Sequence, residues 1–523
     1  MSDVQPAGRA TIPRPVPVHP LLFAAYPTLF LYSQNLGEVA PGDVLPVILV
    51  FVLAALVALT VVSLVLRDPR RAAIVVSVVA TAFLAYGFVD RGLPSFVPVS
   101  VQQVGWLALI VASIVVAVRI RGRLAAVTTA LNAISLILVA LTLFAIVPHV
   151  AGTMGVTQVG QSPMAIGDAT TAARPTKPRD IYYIALDRYG SAKAIELAYE
   201  ILDNDMYDWL ADRGFTVAAN SHANYVKTAL SLASTLRMDF LDDIAARMGK
   251  TNDDQGPIDA ILQDHPVGRF LQARGYRYIH IGSYFGPTRR SLIADVNLHL
   301  GSVSDLSTAL YDYSALPAIA RRLGLAGSDP LRERHRANAI FQFDALERVR
   351  GEAGPKFVFA HLLMPHPPYV FDADGSFVAE SPARGGPTYA TQLSYTNTRL
   401  KAILEPLLAL PEAERPIIVI QADEGPYPKA FARDTIHYDW STASADELET
   451  KYGILNAMYL PGLEAGKTLP YPTISSVNTF RLVFDGYFDA NVPLLPDRSF
   501  TSRGKFLPYD LTDITDRLPT LTP

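Results

Sequence analysis

The segment Val44–Leu66 is a run of 23 residues without a charged side chain. As an α-helix it would be about 34 Å long, which is enough to cross the hydrocarbon core of a bilayer. Similar apolar stretches occur at 19–34, 72–89, 101–118 and 124–147. We therefore predict a transmembrane domain of about five helices in residues 1–150.

Positive charge is concentrated in two of the four connections between these stretches. Each holds three arginines, at 67, 70 and 71 and at 119, 121 and 123, whereas the other two connections hold only Arg91. Loops rich in Lys and Arg stay in the cytoplasm, so five spans place everything after Val147 outside. No span carries an ionisable residue at its centre, which gives no support to a transport path. We predict a multi-pass protein of the cell membrane with an extracytoplasmic carboxyl-terminal domain.

The remainder of the chain has the pattern of a separate folded domain. Residues 151–179 are rich in Gly, Ala, Thr and Pro and are predicted to form an extended linker. From Asp180 onward, helical segments alternate with strands predicted at 181–186, 276–281, 357–363 and 417–421. Such strands pair in parallel and are covered by helices on both faces. The predicted fold class of 180–523 is α/β, with a doubly wound, mostly parallel sheet.

Acidic residues stand at the carboxyl ends of two predicted strands. Asp187 ends the first strand, and Asp423 and Glu424 follow the fourth. Open α/β sheets place their ligands at this edge. A divalent cation there would remove the repulsion between neighbouring carboxylates. The alternatives are helix capping by Asp187 and a solvated acidic turn at 423–424.

One hydroxyl lies where a helix is predicted to begin. Thr228 precedes apolar residues with helical spacing, at 230, 233, 236 and 240. Free N–H groups at a helix start stabilise anions, and a metal-activated hydroxyl there could act as a nucleophile. An N-cap threonine is the commoner role. Ser231, Ser234 and Thr235 are alternatives inside the helix.

Four other side chains are candidates for contact with an anionic substrate or for the core. His366 lies between prolines after the third strand and could bind an anionic oxygen or act as a general acid. Arg289 and Arg290 could hold phosphate or sulfate, or form a solvated basic turn. His361 falls within the third strand and is predicted to be a core histidine.

Composition excludes several other classes of site. The chain has no cysteine, which rules out disulfides, thiolate catalysis and Cys-based zinc sites. Its ten histidines form neither an HExxH motif nor an HxxxH pair. The formal net charge of −4 gives no basis for nucleic-acid binding.

Four motifs occur in register between Asp180 and Pro428: IYYIALD, NYVKTALSLAS, FAHLLMPHPPYVF and IIVIQADEGPYP. Together they resemble the sulfatase-like branch of the alkaline phosphatase superfamily. Five spans followed by an outer domain resemble the layout of lipoteichoic acid synthase and of related membrane phosphoglycerol and phosphoethanolamine transferases. The resemblance implies attack by a threonine on phosphorus or sulfur, then transfer to water or to an acceptor hydroxyl.

The resemblance also implies roles for individual residues. Thr228 is the implied nucleophile, and the implied metal ligands are Asp187, Thr228, Asp423 and Glu424. His366 is the implied catalytic or substrate-contacting histidine. The candidate substrate-binding residues are Lys227, Arg289, Arg290 and His366.

Glu424 departs from the family pattern, which usually has histidine at this position. A carboxylate in place of an imidazole hardens the site, which favours Mn²⁺, with Mg²⁺ or Ca²⁺ as alternatives, over Zn²⁺. We predict a membrane-anchored, metal-dependent hydrolase or transferase acting on phosphate or sulfate esters of envelope lipids or glycans. The alternative is a sulfatase-like scaffold or binding protein that has lost activity, because the added negative charge of Glu424 weakens activation of Thr228.

Overall fold

The structure is a computed structural model that describes residues 15–36, 41–92, 98–120, 122–160, 175, 177–301, 305–323, 330–378, 388–431, 438–503 and 507–519. The chain divides into two compact units. The first comprises Met1–Ala151 and Ser304–Ala326, and the second comprises Gly152–Val303 and Gly327–Pro523.

The first unit is a bundle of apolar helices. These helices are α1 (His19–Ser33), α2 (Pro41–Leu66), α3 (Pro69–Gly92), α4 (Val99–Arg119) and α5 (Leu124–Gly160). Among the described residues, four segments are long and apolar enough to cross a membrane: Val44–Leu66, Pro69–Val89, Ser100–Arg119 and Leu124–Pro148. Helix α1 packs on α2 and α3, but it has only 15 residues. That length is about 22 Å, short of a full span, so the predicted count of five is not confirmed.

Two boundaries differ from those expected of the sequence. Helix α5 continues to Gly160, so helical backbone replaces the first part of the predicted linker 151–179. Positions 161–174 and 176 lie outside the described residues, and the extended linker stays a prediction there. Two later helices, α12 (Asp305–Tyr313) and α13 (Leu316–Arg322), group with the first unit although sequence analysis placed them in the outer domain.

The second unit is an α/β domain. Its strands are β1 (Ile181–Asp187), β2 (Thr216–Val217), β3 (Arg277–Ile281), β4 (Val296–Leu298), β5 (Lys356–Pro365), β6 (Ile417–Ala422), β7 (Asn456–Tyr459), β8 (Phe500–Ser502) and β9 (Leu511–Asp513). Its helices are α6 (Ala192–Tyr199), α7 (Met206–Asp212), α8 (Thr228–Arg237), α9 (Asp242–Met248), α10 (Gly256–Gln263), α11 (Pro266–Gln272), α14 (Pro330–Val349), α15 (Tyr389–Leu408), α16 (Ala445–Tyr452) and α17 (Thr479–Phe488).

Seven strands form one sheet in the order β2-β7-β6-β1-β5-β3-β4. Strands β6, β1, β5, β3 and β4 run parallel. At one edge, β7 pairs antiparallel with β6, and β2 pairs antiparallel with β7. The mostly parallel sheet and its four predicted strands, which correspond to β1, β3, β5 and β6, are therefore confirmed. Successive β1 side chains point to opposite faces of the sheet, so that Tyr182 and Tyr183 lie in separate hydrophobic clusters. Burial on both faces explains why these strands read as continuous apolar runs.

The order of strands positions the site. Strand β1 lies between β5 and β6, with Ala185 paired to His361 and Leu186 paired to Ala422. All three strands are parallel, so their carboxyl ends lie at the same edge of the sheet. Asp187 at the end of β1 therefore comes close to residues from β5 and to those that follow β6.

Candidate functional site

Two carboxylates and one imidazole converge at the edge formed by β1, β5 and β6. Ligand atoms of Asp187, His361 and Asp423 lie within 4.8 Å of one another, and all three residues are buried. Each also has one buried polar atom without a hydrogen-bond partner within the described part of the chain: Asp187 Oδ1, His361 Nε2 and Asp423 Oδ2. Burying such atoms unpaired is costly. The three residues therefore fit a site for a divalent cation.

The electrostatics of the two acids point to the same conclusion. Burial raises the pKa of Asp187 to about 7, although Arg188 opposes the shift. Burial and the nearby carboxyl groups of Asp187 and Glu424 raise the pKa of Asp423 well above its usual value. Asp423 Oδ1 accepts hydrogen bonds from the backbone N–H groups of Arg188 (3.1 Å) and Glu424 (2.7 Å). That leaves Oδ2 as the atom available to a cation.

His361 is the site residue that the sequence analysis placed in the core. It is fully buried within β5, but its Nδ1 lies 2.8 Å from Thr288 Oγ1. Burial lowers the pKa of His361 to about 3, so the ring is neutral. With the Nδ1 proton donated to Thr288, the lone pair of Nε2 is available as a ligand. The pairing of His361 with Ala185, two residues before Asp187, is the signal that sequence alone did not give.

Glu424 is buried but its carboxylate is already neutralised. Its Oε1 lies 2.5 Å from Lys451 Nζ and 3.6 Å from Arg188 Nε. Its Oε2 accepts a 2.6 Å hydrogen bond from the Lys227 backbone N–H. Burial would raise the pKa of Glu424, but Lys451 and Arg188 together hold it below its usual value. Glu424 is not among the three converging ligand residues, and its predicted role as a metal ligand stays a prediction.

Lys451 is a second site residue that sequence reasoning missed. It lies on α16, is 1% exposed, and its ammonium sits 3.5 Å from the centre of the Tyr427 ring. The guanidinium of Arg188 lies over the same ring at 4.1 Å. Tyr427 and Glu424 thus hold two cations beside the carboxylates. A cation–π platform of this kind leaves no periodic signal in the sequence.

Thr228 begins α8, as predicted. The preceding residue, Lys227, has a φ of 83°, an uncommon conformation for a residue with a side chain. The hydrogen bond from its N–H to Glu424 stabilises this turn. Burial raises the pKa of Asp423, and the neighbouring Thr228 hydroxyl opposes that shift. The hydroxyl therefore lies beside a candidate metal ligand.

The alternative hydroxyls on α8 are engaged elsewhere. Ser231 Oγ donates to the Asp423 backbone carbonyl at 2.6 Å, which ties α8 to the end of β6. Ser234 Oγ and Thr235 Oγ1 both donate to the Ser231 carbonyl, at 2.8 Å and 3.0 Å. All three side chains are at most 1% exposed. Thr228, which is partly exposed, is the residue of this group that a substrate can reach.

His366 lies just beyond β5 in a surrounding that alters its predicted role. Burial lowers the pKa of His366 to about 3, and Arg188 adds to the effect. Its Nδ1 lies against the Pro367 carbonyl, which can only accept, so Nδ1 carries the proton of the neutral ring. Nε2 is then a proton acceptor. With only a lone pair on Nε2, the neutral ring can neither donate a hydrogen bond to an anionic oxygen nor act as a general acid, so this geometry favours a general-base role over the two predicted roles.

The predicted substrate-binding cations are less closely tied to the site. Arg289 directly follows Thr288 and is partly exposed, while Arg290 is exposed. Lys227 is partly exposed at the start of α8. Their contact with substrate stays a prediction.

No family model and no curated protein matches the chain. Among solved structures, the C-terminal periplasmic domain of EcEptC from Escherichia coli aligns with a TM-score of 0.40 and 14% identity, over 67% of this chain and 96% of that one. The same domain in complex with Zn aligns with a TM-score of 0.40 and 13% identity, over 67% and 96%. Lipooligosaccharide phosphoethanolamine transferase A from Neisseria meningitidis, an integral membrane protein, aligns with a TM-score of 0.36 and 12% identity, over 90% and 94%.

Proposed function

We propose that the protein is a membrane-anchored, metal-dependent hydrolase or transferase that acts on phosphate or sulfate esters through Thr228. The observation that carries the proposal is a set of three buried atoms on Asp187, His361 and Asp423, next to a helix-start hydroxyl, that have no hydrogen-bond partner among the residues that the structure describes. Buried carboxylates with raised pKa values at a sheet edge are typical of functional sites rather than of structural ones. A bound cation and a helix start both stabilise negative charge, and we therefore infer a substrate with an anionic phosphate or sulfate group.

The proposed metal is held by Asp187, His361 and Asp423. The predicted preference for Mn²⁺ over Zn²⁺ rests on Glu424 as a ligand, and the carboxylate of Glu424 is paired with Lys451 and Arg188. Two carboxylates and one imidazole suit Mn²⁺ and Zn²⁺ alike. When bound, the ion would supply positive charge that favours a deprotonated hydroxyl and anionic ester oxygens.

The chain's own residues would carry the remaining chemistry. Thr228 Oγ forms a bond to phosphorus or sulfur while the bond to the first leaving oxygen breaks. A water or an acceptor hydroxyl then attacks the same centre, and the bond to Thr228 breaks. The proposed acceptor for the proton of this second nucleophile is Nε2 of His366. The N–H groups at the start of α8 stabilise negative charge on the transferred group.

The proposed location follows from the membrane helices. The loops that hold Arg67–Arg71 and Arg119–Arg123 are placed in the cytoplasm, which puts the α/β unit outside the cell. An enzyme anchored in this way meets lipid- or glycan-linked esters of the cell envelope at high local concentration. We therefore propose such an ester as the substrate.

The activity is tested with the purified full-length protein in detergent, supplied with Mn²⁺ or Zn²⁺. Bis(p-nitrophenyl) phosphate, p-nitrophenyl phosphate and p-nitrophenyl sulfate serve as substrates. Turnover of at least one is expected, with loss to background in Asp187→Asn and Asp423→Asn. The exposed Asp253 offers a matched control, since Asp253→Asn should retain the wild-type rate. Equal rates in wild type and both site variants would contradict the proposal.

A non-catalytic scaffold is the second candidate. The observation that favours it is the Glu424–Lys451 pair, in which a fixed ammonium neutralises an acid where the family resemblance implies a metal ligand. A protein that binds one metal per chain but turns over none of the three esters would favour the scaffold.

The contact between Thr288 and His361 gives a prediction about metal affinity. Thr288→Val removes the hydroxyl that holds His361 Nδ1 while keeping the shape of the buried side chain. Loss of this kind of supporting hydrogen bond weakens metal binding by about 10- to 100-fold. Isothermal titration of the metal-free protein with Mn²⁺ or Zn²⁺ measures the change. Thr288→Ser keeps the hydroxyl and should bind nearly as well as wild type; equal affinity in Thr288→Val would contradict the role.

A further inference from the structure

In the sequence, helices α12 and α13 are inserted between two parts of the α/β unit. They nevertheless belong to the first unit, the bundle of apolar helices α1–α5, which we call the membrane unit. Leu306 and Leu310 of α12 are 2% and 3% exposed, and they are buried in a cluster with Tyr32, Val44 and Ile146. These partners belong to α1, α2 and α5. Helix α12 therefore packs against the bundle through its apolar side chains.

The segment of α12 also packs closely against α3. The ring of Tyr313 stacks on Phe88 with centroids 4.0 Å apart, and the Ala315 N–H donates to the Phe83 carbonyl at 2.8 Å. A Cβ at Gly87 would lie 2.6 Å from the Asp312 carbonyl oxygen, so only glycine allows α12 to approach α3 this closely. Backbone contact of this kind fixes the position of the segment on the bundle.

Helix α13 reaches the neighbouring α4. The Arg322 guanidinium donates from Nε and Nη2 to Gln103 Oε1, at 3.0 Å and 2.7 Å. Residues of α4 close to this contact are exposed and apolar, with Val104 at 65% and Leu107 at 61%. In a span long and apolar enough to cross a membrane, such a face is the one that lipid covers.

All of these contacts lie at one end of the bundle. They involve the last turns of α1 and α3, the end of the α5 span, and the first turns of α2 and α4. The arginine-rich connections between α2 and α3 and between α4 and α5 lie at the opposite end. The segment 305–322 is therefore at the outer end of the bundle, at the level where the bilayer meets water.

At that level α13 presents an apolar face that is partly exposed. Leu316 and Ile319 are 42% and 44% exposed, and Leu323, directly after the helix, is 64% exposed. Their spacing of three and four residues puts them on one side of a helix. Arg322 lies beside this face and is exposed. An apolar face flanked by a basic side chain is the pattern of helices that lie in a membrane interface.

We propose that α12 and α13 form an interfacial anchor, with the face of Leu316, Ile319 and Leu323 inserted into the outer leaflet of the bilayer. The occupant is the lipid surface because Arg322, which lies beside this face, contacts Gln103 of α4, and Gln103 is next to the exposed, apolar Val104 in the chain. Three chain connections, after 151, before 304 and after 326, then tie the α/β unit to the membrane. The anchor does not depend on the chemistry proposed for the site.

The absence of cysteine makes the test direct, because a single introduced cysteine can carry a spin label. Full-length Ile319→Cys is labelled with a nitroxide and reconstituted in lipid nanodiscs. Power-saturation EPR then compares collision with oxygen, which concentrates in lipid, and with a water-soluble nickel chelate. Val104→Cys on α4 is the lipid-exposed reference, and Leu469→Cys, 65% exposed in a loop of the α/β unit, is the aqueous reference.

The expected result at position 319 is an oxygen-to-nickel accessibility ratio above that of Leu469→Cys and close to that of Val104→Cys. A ratio equal to that of Leu469→Cys would place the face in water and overturn the proposal. Low accessibility to both reagents would show that protein covers the face, and dipolar broadening at full labelling would identify a second copy. Either of those results would also overturn it.

Discussion

Replacing Thr228 with alanine is expected to abolish ester turnover, with a loss on the order of 10³-fold or more. The substitution removes the only hydroxyl of α8 that is both partly exposed and close to Asp423 among the described residues. The helix itself should be unaffected, because alanine is a good residue for a first helical turn. The measurement is the release of p-nitrophenol by full-length protein with metal bound.

Two variants serve as controls for this result. Thr228→Ser keeps a hydroxyl at the same position and should recover a measurable part of the rate. Ser234→Ala removes a neighbouring hydroxyl whose hydrogen bond goes to the Ser231 carbonyl within the same helix, so the rate should stay near that of wild type. Wild-type turnover in Thr228→Ala would end the nucleophile assignment.

Replacing Lys451 with methionine is expected to destabilise the α/β unit by about 3–5 kcal/mol, because it leaves the Glu424 carboxylate buried without its closest cation. Arg188 at 3.6 Å is the more distant partner. Thermal melting of the full-length protein, followed by tryptophan fluorescence, measures the loss. Trp440 packs in one cluster with Tyr427, the residue that lies under both cations, and reports on this region.

The double variant Glu424→Gln/Lys451→Met separates the ion pair from its surroundings. With the buried charge removed, the unpaired carboxylate no longer contributes to the loss, and most of the stability should return. Lys401, whose ammonium pairs with the exposed Asp205, offers a matched control. Lys401→Met should change the stability by no more than about 1 kcal/mol. A double variant as unstable as Lys451→Met would show that the ion pair is not the cause.

The strands and two of the acids could be predicted because their signals are local. An apolar run that ends in a carboxylate identifies β1 with Asp187 and β6 with Asp423, and parallel pairing brings their ends together. The start of α8 at Thr228 was also readable from the spacing of apolar residues. These inferences required no knowledge of which strands are neighbours, beyond their membership in one sheet.

His361 could not be assigned from sequence because its role depends on the order of strands. In β5 it reads as one more buried residue, and only the position of β5 beside β1 brings it to Asp187 and Asp423. Lys451 was missed for a related reason, since a lysine in an amphipathic helix normally reaches solvent. Its burial depends on Glu424 and Tyr427, which are distant in the chain.

The membrane unit shows the same division between local and non-local signals. Four apolar segments long enough to cross a bilayer are evident from their length and composition. The position of α12 and α13 in the membrane unit is not evident from the sequence, because their short amphipathic pattern fits equally well on a sheet or on a helical bundle. Glycine at position 87 and the stacking of Phe88 on Tyr313 decide the matter in the folded chain.

The central claim, that Asp187, His361 and Asp423 hold a divalent cation, is tested most directly by metal analysis. Full-length protein is stripped of metal, dialysed against Mn²⁺ and Zn²⁺ together, freed of excess ions and measured by inductively coupled plasma mass spectrometry. The account predicts one divalent ion per chain in wild type and in Asp253→Asn, and none above background in Asp187→Asn, His361→Ala or Asp423→Asn. Wild-type protein without stoichiometric metal, or site variants that retain it, would contradict the account.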